Sequence, residues 1–118
     1  MAKVAVVVFA DTETHADLAR VVNALLLVKE AAEAHDDVRL IFDGAGTKWV
    51  PELADPAHRS HSLYAAVRER VTGVCSFCAA AFGVREAVQA NGVPLLDEYA
   101  HHPSLRTLLA EGFQVLTF

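Results

Sequence analysis

The chain has 118 residues, of which 53% are hydrophobic and 21% are charged, and its formal net charge is −5. This length predicts one domain over residues 1–118. The 10 lysines and arginines are scattered singly. Nucleic acids and anionic membrane surfaces attract clustered cations, so neither is an expected partner. No apolar run approaches the roughly 18 residues of a membrane span.

The first apolar run covers residues 4–10 and is followed at once by Asp11 and Glu13. A secretory signal needs a longer apolar core and a small-residue cleavage pattern, so a buried strand is the better interpretation. The expected location is therefore the cytoplasm, where cysteines are kept reduced. In that compartment a Cys-x-x-Cys is more typical of a reactive or metal-binding site than of a structural disulfide.

The first half of the chain alternates between strand and helix patterns. Residues 3–9 form a continuous valine-rich run, typical of a strand covered on both faces. Helical spacing follows to about residue 35, and Leu26 and Leu27 widen its apolar stripe, so we expect this helix to contact another subunit. Residues 38–42 predict a second buried strand, which ends at the turn sequence Asp43-Gly44-Ala45-Gly46. Residues 49–54 predict a short helix.

The second half continues the alternation. A helix over residues 60–70 precedes a third strand at 71–75, and residues 79–91 predict a helix that breaks at Gly83. Residues 93–96 predict a short fourth strand, and Pro94 within it favours an edge position or a late start. Pro103 suits the first turn of a last helix, which leads to a strand at 113–118.

This alternation predicts a three-layer α/β/α sandwich with about five mostly parallel strands. The strand order does not follow from the sequence. In open parallel sheets, ligands gather at the carboxyl ends of the strands, close to helix N-termini. Polar and aromatic residues near those strand ends are the expected lining of a pocket: Asp11, Asp43, Trp49, Tyr99 and His101.

Cys78 is the residue on which we expect any chemistry to centre. It is the second cysteine of Cys75-Ser76-Phe77-Cys78, where the third strand passes into a helix, and three alanines follow it. Backbone N–H groups and the helix dipole stabilise a thiolate at a helix N-terminus, and small neighbours leave the sulfur open to a partner. We expect Cys75, at the strand end, to be more buried. The alternative is that both cysteines are small core residues.

Residues 73–84, with the sequence Gly-Val-Cys-Ser-Phe-Cys-Ala-Ala-Ala-Phe-Gly-Val, resemble the cysteine segment of the DsrE/DsrF/DsrH-like proteins, which include the YchN-like members. The resemblance extends over the chain in its length, its alternation, Asp43-Gly44 after the second strand, and its leucine-rich last helix. It implies one DsrE-like domain, cytosolic homo- or hetero-oligomers, and sulfur relay. By position, Cys78 is the implied sulfur acceptor and Cys75 the auxiliary cysteine. Phe82 stands where the family frequently has arginine.

The resemblance implies a cytosolic sulfur-carrier or sulfur-transfer protein, a homo-oligomer that holds a persulfide on Cys78 between a sulfur donor protein and an acceptor protein. Such a relay requires an accessible thiolate and neither a metal nor a cofactor. Two alternatives remain open. One is a non-catalytic small-ligand or protein-interaction module of the same fold. The other is a dithiol redox protein, in which Cys75 and Cys78 close a disulfide.

Four histidines near these segments are further candidate site residues. His58 and His61 could join both cysteines as zinc ligands, but zinc fingers usually present cysteine before histidine, so no metal site is predicted. For the pair His101-His102, the functional interpretation places one of them beside Cys78 as a proton shuttle. The alternative makes His102 an ordinary residue before a helix.

Overall fold

The computed structural model describes residues 1–118. Its strands are β1 (Lys3–Val8), β2 (Asp37–Phe42), β3 (Val71–Cys75), β4 (Leu95–Leu96) and β5 (Gln114–Thr117). Its α-helices are α1 (His15–Glu33), α2 (Trp49–Ala54), α3 (His61–Val67), α4 (Ser76–Ala81), α5 (Arg85–Ala90) and α6 (Leu105–Ala110). Two 3₁₀ turns, Gly44–Lys48 and Arg68–Arg70, complete the chain. The predicted α/β/α fold with about five parallel strands is confirmed.

The sheet has the strand order β4-β3-β2-β1-β5, and every neighbouring pair is parallel. From β1 to β4 each connection steps in one direction, whereas the connection from β4 to β5 returns across the whole sheet. Because crossovers between parallel strands are right-handed, a reversal of direction moves the connecting helix to the opposite face. Only α6 lies on that return path.

The two faces of the sheet are therefore covered unequally. One face packs against α1 to α5 in a cluster of 22 buried residues, which includes Val6 of β1 and Leu25 of α1. On the other face a cluster of 5 buried residues joins the sheet to Leu108 of α6 and to Phe113. Most of the hydrophobic stabilisation thus comes from one side of the sheet.

Helix α1 is the longest element, with 19 residues, and it begins with a capping box between Thr14 and Asp17. Leu25 and Val28 are buried against the sheet, and Leu27 packs against the same core. Leu26 is 48% exposed. Its role in a subunit contact therefore stays a prediction. No helix combines the length and the apolar character needed to cross a membrane.

The helix after β3 begins earlier in the chain than the sequence predicted. Helix α4 starts at Ser76, three residues before the predicted start, because Cys75 caps it by accepting the N–H of Cys78. The predicted break at Gly83 is confirmed, since this residue has a φ of 72° between α4 and α5. Strand β4 is at the sheet edge and begins after Pro94, as the proline predicted.

Candidate functional site

The carboxyl edge of the sheet brings together Asp43, Cys75, Cys78 and His102. One ligand-type atom from each of these four side chains lies within 4.8 Å of those of the other three. Asp43 follows β2, Cys75 ends β3, Cys78 is in the first turn of α4, and His102 follows β4. The strands are parallel, so residues far apart in the sequence meet at this edge.

Asp43 is held at this edge by the glycine turn that follows β2. Its Oδ1 accepts the N–H of Gly44 at 2.7 Å, and Gly44 has a φ of 55°. Gly46 packs against β1 so closely that a Cβ atom there would lie 2.1 Å from the carbonyl oxygen of Val8. The predicted tight turn is confirmed, and its packing leaves the Asp43 side chain buried beside the cysteines.

Cys75 is completely buried, with 0% of its surface exposed. Its Sγ lies 3.1 Å from Nδ1 of His102 and accepts the backbone N–H of Cys78 at 3.4 Å. Burial raises the pKa of Cys75 to about 12, and the nearby Asp43 carboxylate adds to this effect, although the N–H of Cys78 opposes it. Burial and the Asp43 carboxylate therefore both favour the protonated form of the Cys75 thiol.

Cys78 is partly exposed at the third residue of α4. The sequence predicted that unpaired backbone N–H groups would stabilise its thiolate, but two of these N–H groups already have other partners. The N–H of Phe77 donates to the carbonyl oxygen of His101 at 2.9 Å, and the N–H of Cys78 donates to Cys75. The reason is the early start of α4, which gives the capping position to Cys75 rather than to Cys78.

Aromatic side chains flank Cys78 along α4. Phe77 is 55% exposed and Phe82 is 43% exposed, and both belong to the same short stretch as the cysteine. Nζ of Lys48 lies 5.7 Å from the ring centroid of Phe82, so a cation approaches this stretch from the turn after β2. None of the surface cavities is lined by Cys78. Cys78 is therefore partly exposed without lining a cavity, and its sulfur lies within 4.8 Å of the ligand-type atoms of Asp43, Cys75 and His102.

Of the five residues predicted to line a pocket, the structure brings two to the cysteines: the side chain of Asp43, and His101 through its carbonyl oxygen, 4.0 Å from Sγ of Cys75. The Asp11 carboxylate pairs with Lys48 at 2.5 Å, and a hydrogen bond from Lys48 lowers the pKa of Asp11. Trp49 is a core residue, whose Nε1 donates to the carbonyl oxygen of Ala10 at 2.9 Å. Tyr99 is exposed, and no cavity is lined by all five of the predicted residues.

His102, rather than the predicted His101, faces the sulfurs. Tyr99 and His102 exchange two backbone hydrogen bonds of 2.8 and 2.9 Å, and Ala100 and His101 between them have φ values of 50° and 68°. This turn leaves His101 exposed. A turn sequence with glycine or asparagine would have been recognisable, but the alanine and histidine found here carry no such signal.

The histidines considered above as zinc ligands do not join the cysteines. His58 accepts the N–H of Ser60 with its Nδ1 at 3.0 Å, and Nδ1 of His61 lies 2.7 Å from the carbonyl oxygen of Leu53. Neither histidine belongs to the cluster around the cysteines. The helix and strand that separate these histidines from the cysteines in the sequence also separate them in the fold.

Comparison with known proteins supports the fold without giving a function. No protein-family profile matches the chain. The chain is 28% identical over 94 residues to the uncharacterized protein MJ0733 of Methanocaldococcus jannaschii, which covers 80% of this chain and 76% of that protein. It is similar in fold to the conserved protein of unknown function BT1422 from Bacteroides thetaiotaomicron, with a TM-score of 0.65, 13% identity, and coverage of 97% and 94% of the two chains.

Proposed function

We propose that this protein is a cytoplasmic, homo-oligomeric sulfur carrier of the DsrE-like type, with a persulfide on Cys78. The observation that supports the proposal is the difference in access between two neighbouring sulfurs. Cys75 is fully buried, whereas Cys78 is partly exposed. A carrier needs one reachable thiol, and a second, inaccessible thiol does not compete with it.

Sulfur uptake follows the chemistry of thiol–disulfide exchange. The Cys78 thiolate attacks the terminal sulfur of a donor persulfide, and the S–S bond of the donor breaks as the new S–S bond forms. The donor leaves as a thiolate, and Cys78 carries the transferred sulfur. Delivery repeats the exchange with an acceptor thiolate in the attacking role, so no net oxidation occurs in either step.

The burial of Cys75 favours a carrier over a dithiol redox protein. Attack of Cys75 on the inner sulfur of the Cys78 persulfide would close a disulfide and expel hydrogen sulfide. This attack requires a Cys75 thiolate, and burial disfavours the charged form. The persulfide on Cys78 therefore persists long enough to be passed on.

The exposed phenylalanine rings beside Cys78 favour transfer between proteins over binding of a small ligand. Small-ligand sites are usually concave, and no cavity is lined by Cys78. Instead, the exposed rings of Phe77 and Phe82 flank the cysteine, and aromatic residues are enriched in protein interfaces. We therefore propose protein partners as donor and acceptor.

Mass spectrometry of the reduced, metal-free protein tests this function. Incubation with a small-molecule persulfide should add the mass of one sulfur atom, and peptide mapping should place it on Cys78. Cys78→Ser should abolish the addition, whereas the matched variant Cys75→Ser should retain it. No addition with any donor would favour an interaction module. A loss of two hydrogens that needs both cysteines would identify a redox protein.

A further inference from the structure

Four side chains with metal-binding atoms meet beside β3. The carboxylate of Asp43, the sulfurs of Cys75 and Cys78, and an imidazole nitrogen of His102 all lie within 4.8 Å of one another. They follow or end three different strands, so the topology of the sheet brings them together. We propose that these four side chains bind one Zn²⁺ ion.

The donor set matches the preferences of zinc. Zinc binds thiolate, imidazole and carboxylate ligands in tetrahedral sites at about 2.0–2.3 Å, which places neighbouring ligand atoms about 3.3–3.8 Å apart. Sγ of Cys75 and Nδ1 of His102 are already 3.1 Å apart, and no pair in the cluster exceeds 4.8 Å. Small side-chain movements would close the set around an ion. Magnesium and calcium prefer oxygen ligands, so two sulfurs disfavour them.

Asp43 supplies an independent indication of a missing positive charge. It is only 7% exposed, and its hydrogen-bonding neighbours are the backbone N–H of Gly44 and the Cys75 thiol. No lysine, arginine or histidine forms an ion pair with its carboxylate. A buried carboxylate without a cationic partner is unfavourable, and a divalent cation at the cluster would compensate this charge.

The residues around the cluster hold the ligands in position. The His102 ring packs against the Phe77 ring, with centroids 5.0 Å apart and an angle of 33° between the planes. The backbone of His102 is fixed by its two hydrogen bonds with Tyr99. The N–H of Cys78 points at the Cys75 sulfur, where it would stabilise a metal-bound thiolate.

Zinc binding would convert both thiols to thiolates and release two protons, without oxidation or reduction of any group. Because Cys78 contributes its sulfur to the ion, zinc and a persulfide exclude each other at this residue. The metal site does not depend on the sulfur-carrier proposal. Zinc would bind both cysteines as thiolates, whereas the carrier function uses Cys78 as a persulfide.

Cobalt is the spectroscopic probe for this site. Titration of the metal-free full chain with Co²⁺ should saturate at one ion per chain, with thiolate-to-cobalt absorption and the visible bands of tetrahedral cobalt, and Zn²⁺ should displace it. His102→Ala should weaken cobalt binding at least about tenfold, because even loss of an outer-shell partner typically costs 10–100-fold. The matched variant His101→Ala changes the neighbouring exposed histidine and should bind as the wild type does.

Absence of the thiolate absorption, or equal weakening by His101→Ala and His102→Ala, would overturn the proposal. Cys78→Ser is the second test variant, because the partial exposure of Cys78 makes the substitution compatible with folding. Cys78→Ser should remove the contribution of one sulfur to the thiolate-to-cobalt absorption. The circular dichroism of the metal-free protein should stay unchanged. Sulfur loading without cobalt binding would contradict only the metal site, and cobalt binding without sulfur loading would contradict only the carrier function.

Discussion

At the scale of single residues, neighbouring groups determine which sulfur can react. Cys75 and Cys78 are three positions apart, but one closes the end of a buried strand and the other is on the surface of a helix. The distinction could be predicted from the strand pattern and from the alanines after Cys78. The topology also predicted Asp43 at this sheet edge and one histidine of the pair beside Cys78. That His102 rather than His101 faces the sulfurs could not be predicted, because the turn before it lacks a glycine or asparagine.

The buried hydroxyl of Tyr64 gives a residue-scale prediction for stability. Its oxygen has no hydrogen-bond partner, burial raises the pKa of Tyr64, and its ring packs edge-on against Phe42 at 6.4 Å. A buried unpaired hydroxyl costs about 1–3 kcal/mol, so Tyr64→Phe should raise the free energy of unfolding by about 1 kcal/mol in urea. The control Tyr99→Phe removes an exposed hydroxyl and should change nothing. A loss of stability in Tyr64→Phe would show that the hydroxyl has a partner.

At the scale of elements, the alternation of strands and helices was predictable because each has its own hydrophobic period. The breaks at Gly83 and before β4 also followed from glycine and proline chemistry. The early start of α4 was not predictable, because its cap is a cysteine sulfur rather than one of the usual capping oxygens. Strand order also escaped prediction, since it depends on which strands pair after the chain reverses.

The turn after β2 gives the element-scale prediction. A Cβ at Gly46 would lie 2.1 Å from the carbonyl oxygen of Val8, which is backbone and cannot move freely. Gly46→Ala should therefore lower the free energy of unfolding by about 3 kcal/mol, as overpacking does. Gly83→Ala is the control, because its φ of 72° costs about 1 kcal/mol but no atom lies within 4 Å. Equal losses in denaturant unfolding would show that the turn can move away from β1.

At the scale of the whole molecule, helices cover one face of the sheet well, yet large apolar side chains remain exposed on the surface. Leu26 of α1, Leu109 of α6 and Leu116 of β5 are all at least 41% exposed. If α1 forms the subunit contact, sedimentation equilibrium should show a homo-oligomer, and Leu26→Glu should weaken its association at least about tenfold, or ~1.4 kcal/mol. Leu109→Glu is the control on the other face and should leave association unchanged. A monomer at all concentrations would contradict the predicted oligomer.

The most direct test of the central claim is cyanolysis, because cyanide removes the outer sulfur of a persulfide as thiocyanate and leaves the cysteine as a thiolate. After loading with a persulfide donor under metal-free conditions, the wild type and Cys75→Ser should each release close to one thiocyanate per chain. Cys78→Ser should release none. Release from Cys78→Ser equal to that of the wild type, or no release from any of the three proteins, would contradict a persulfide carried on Cys78.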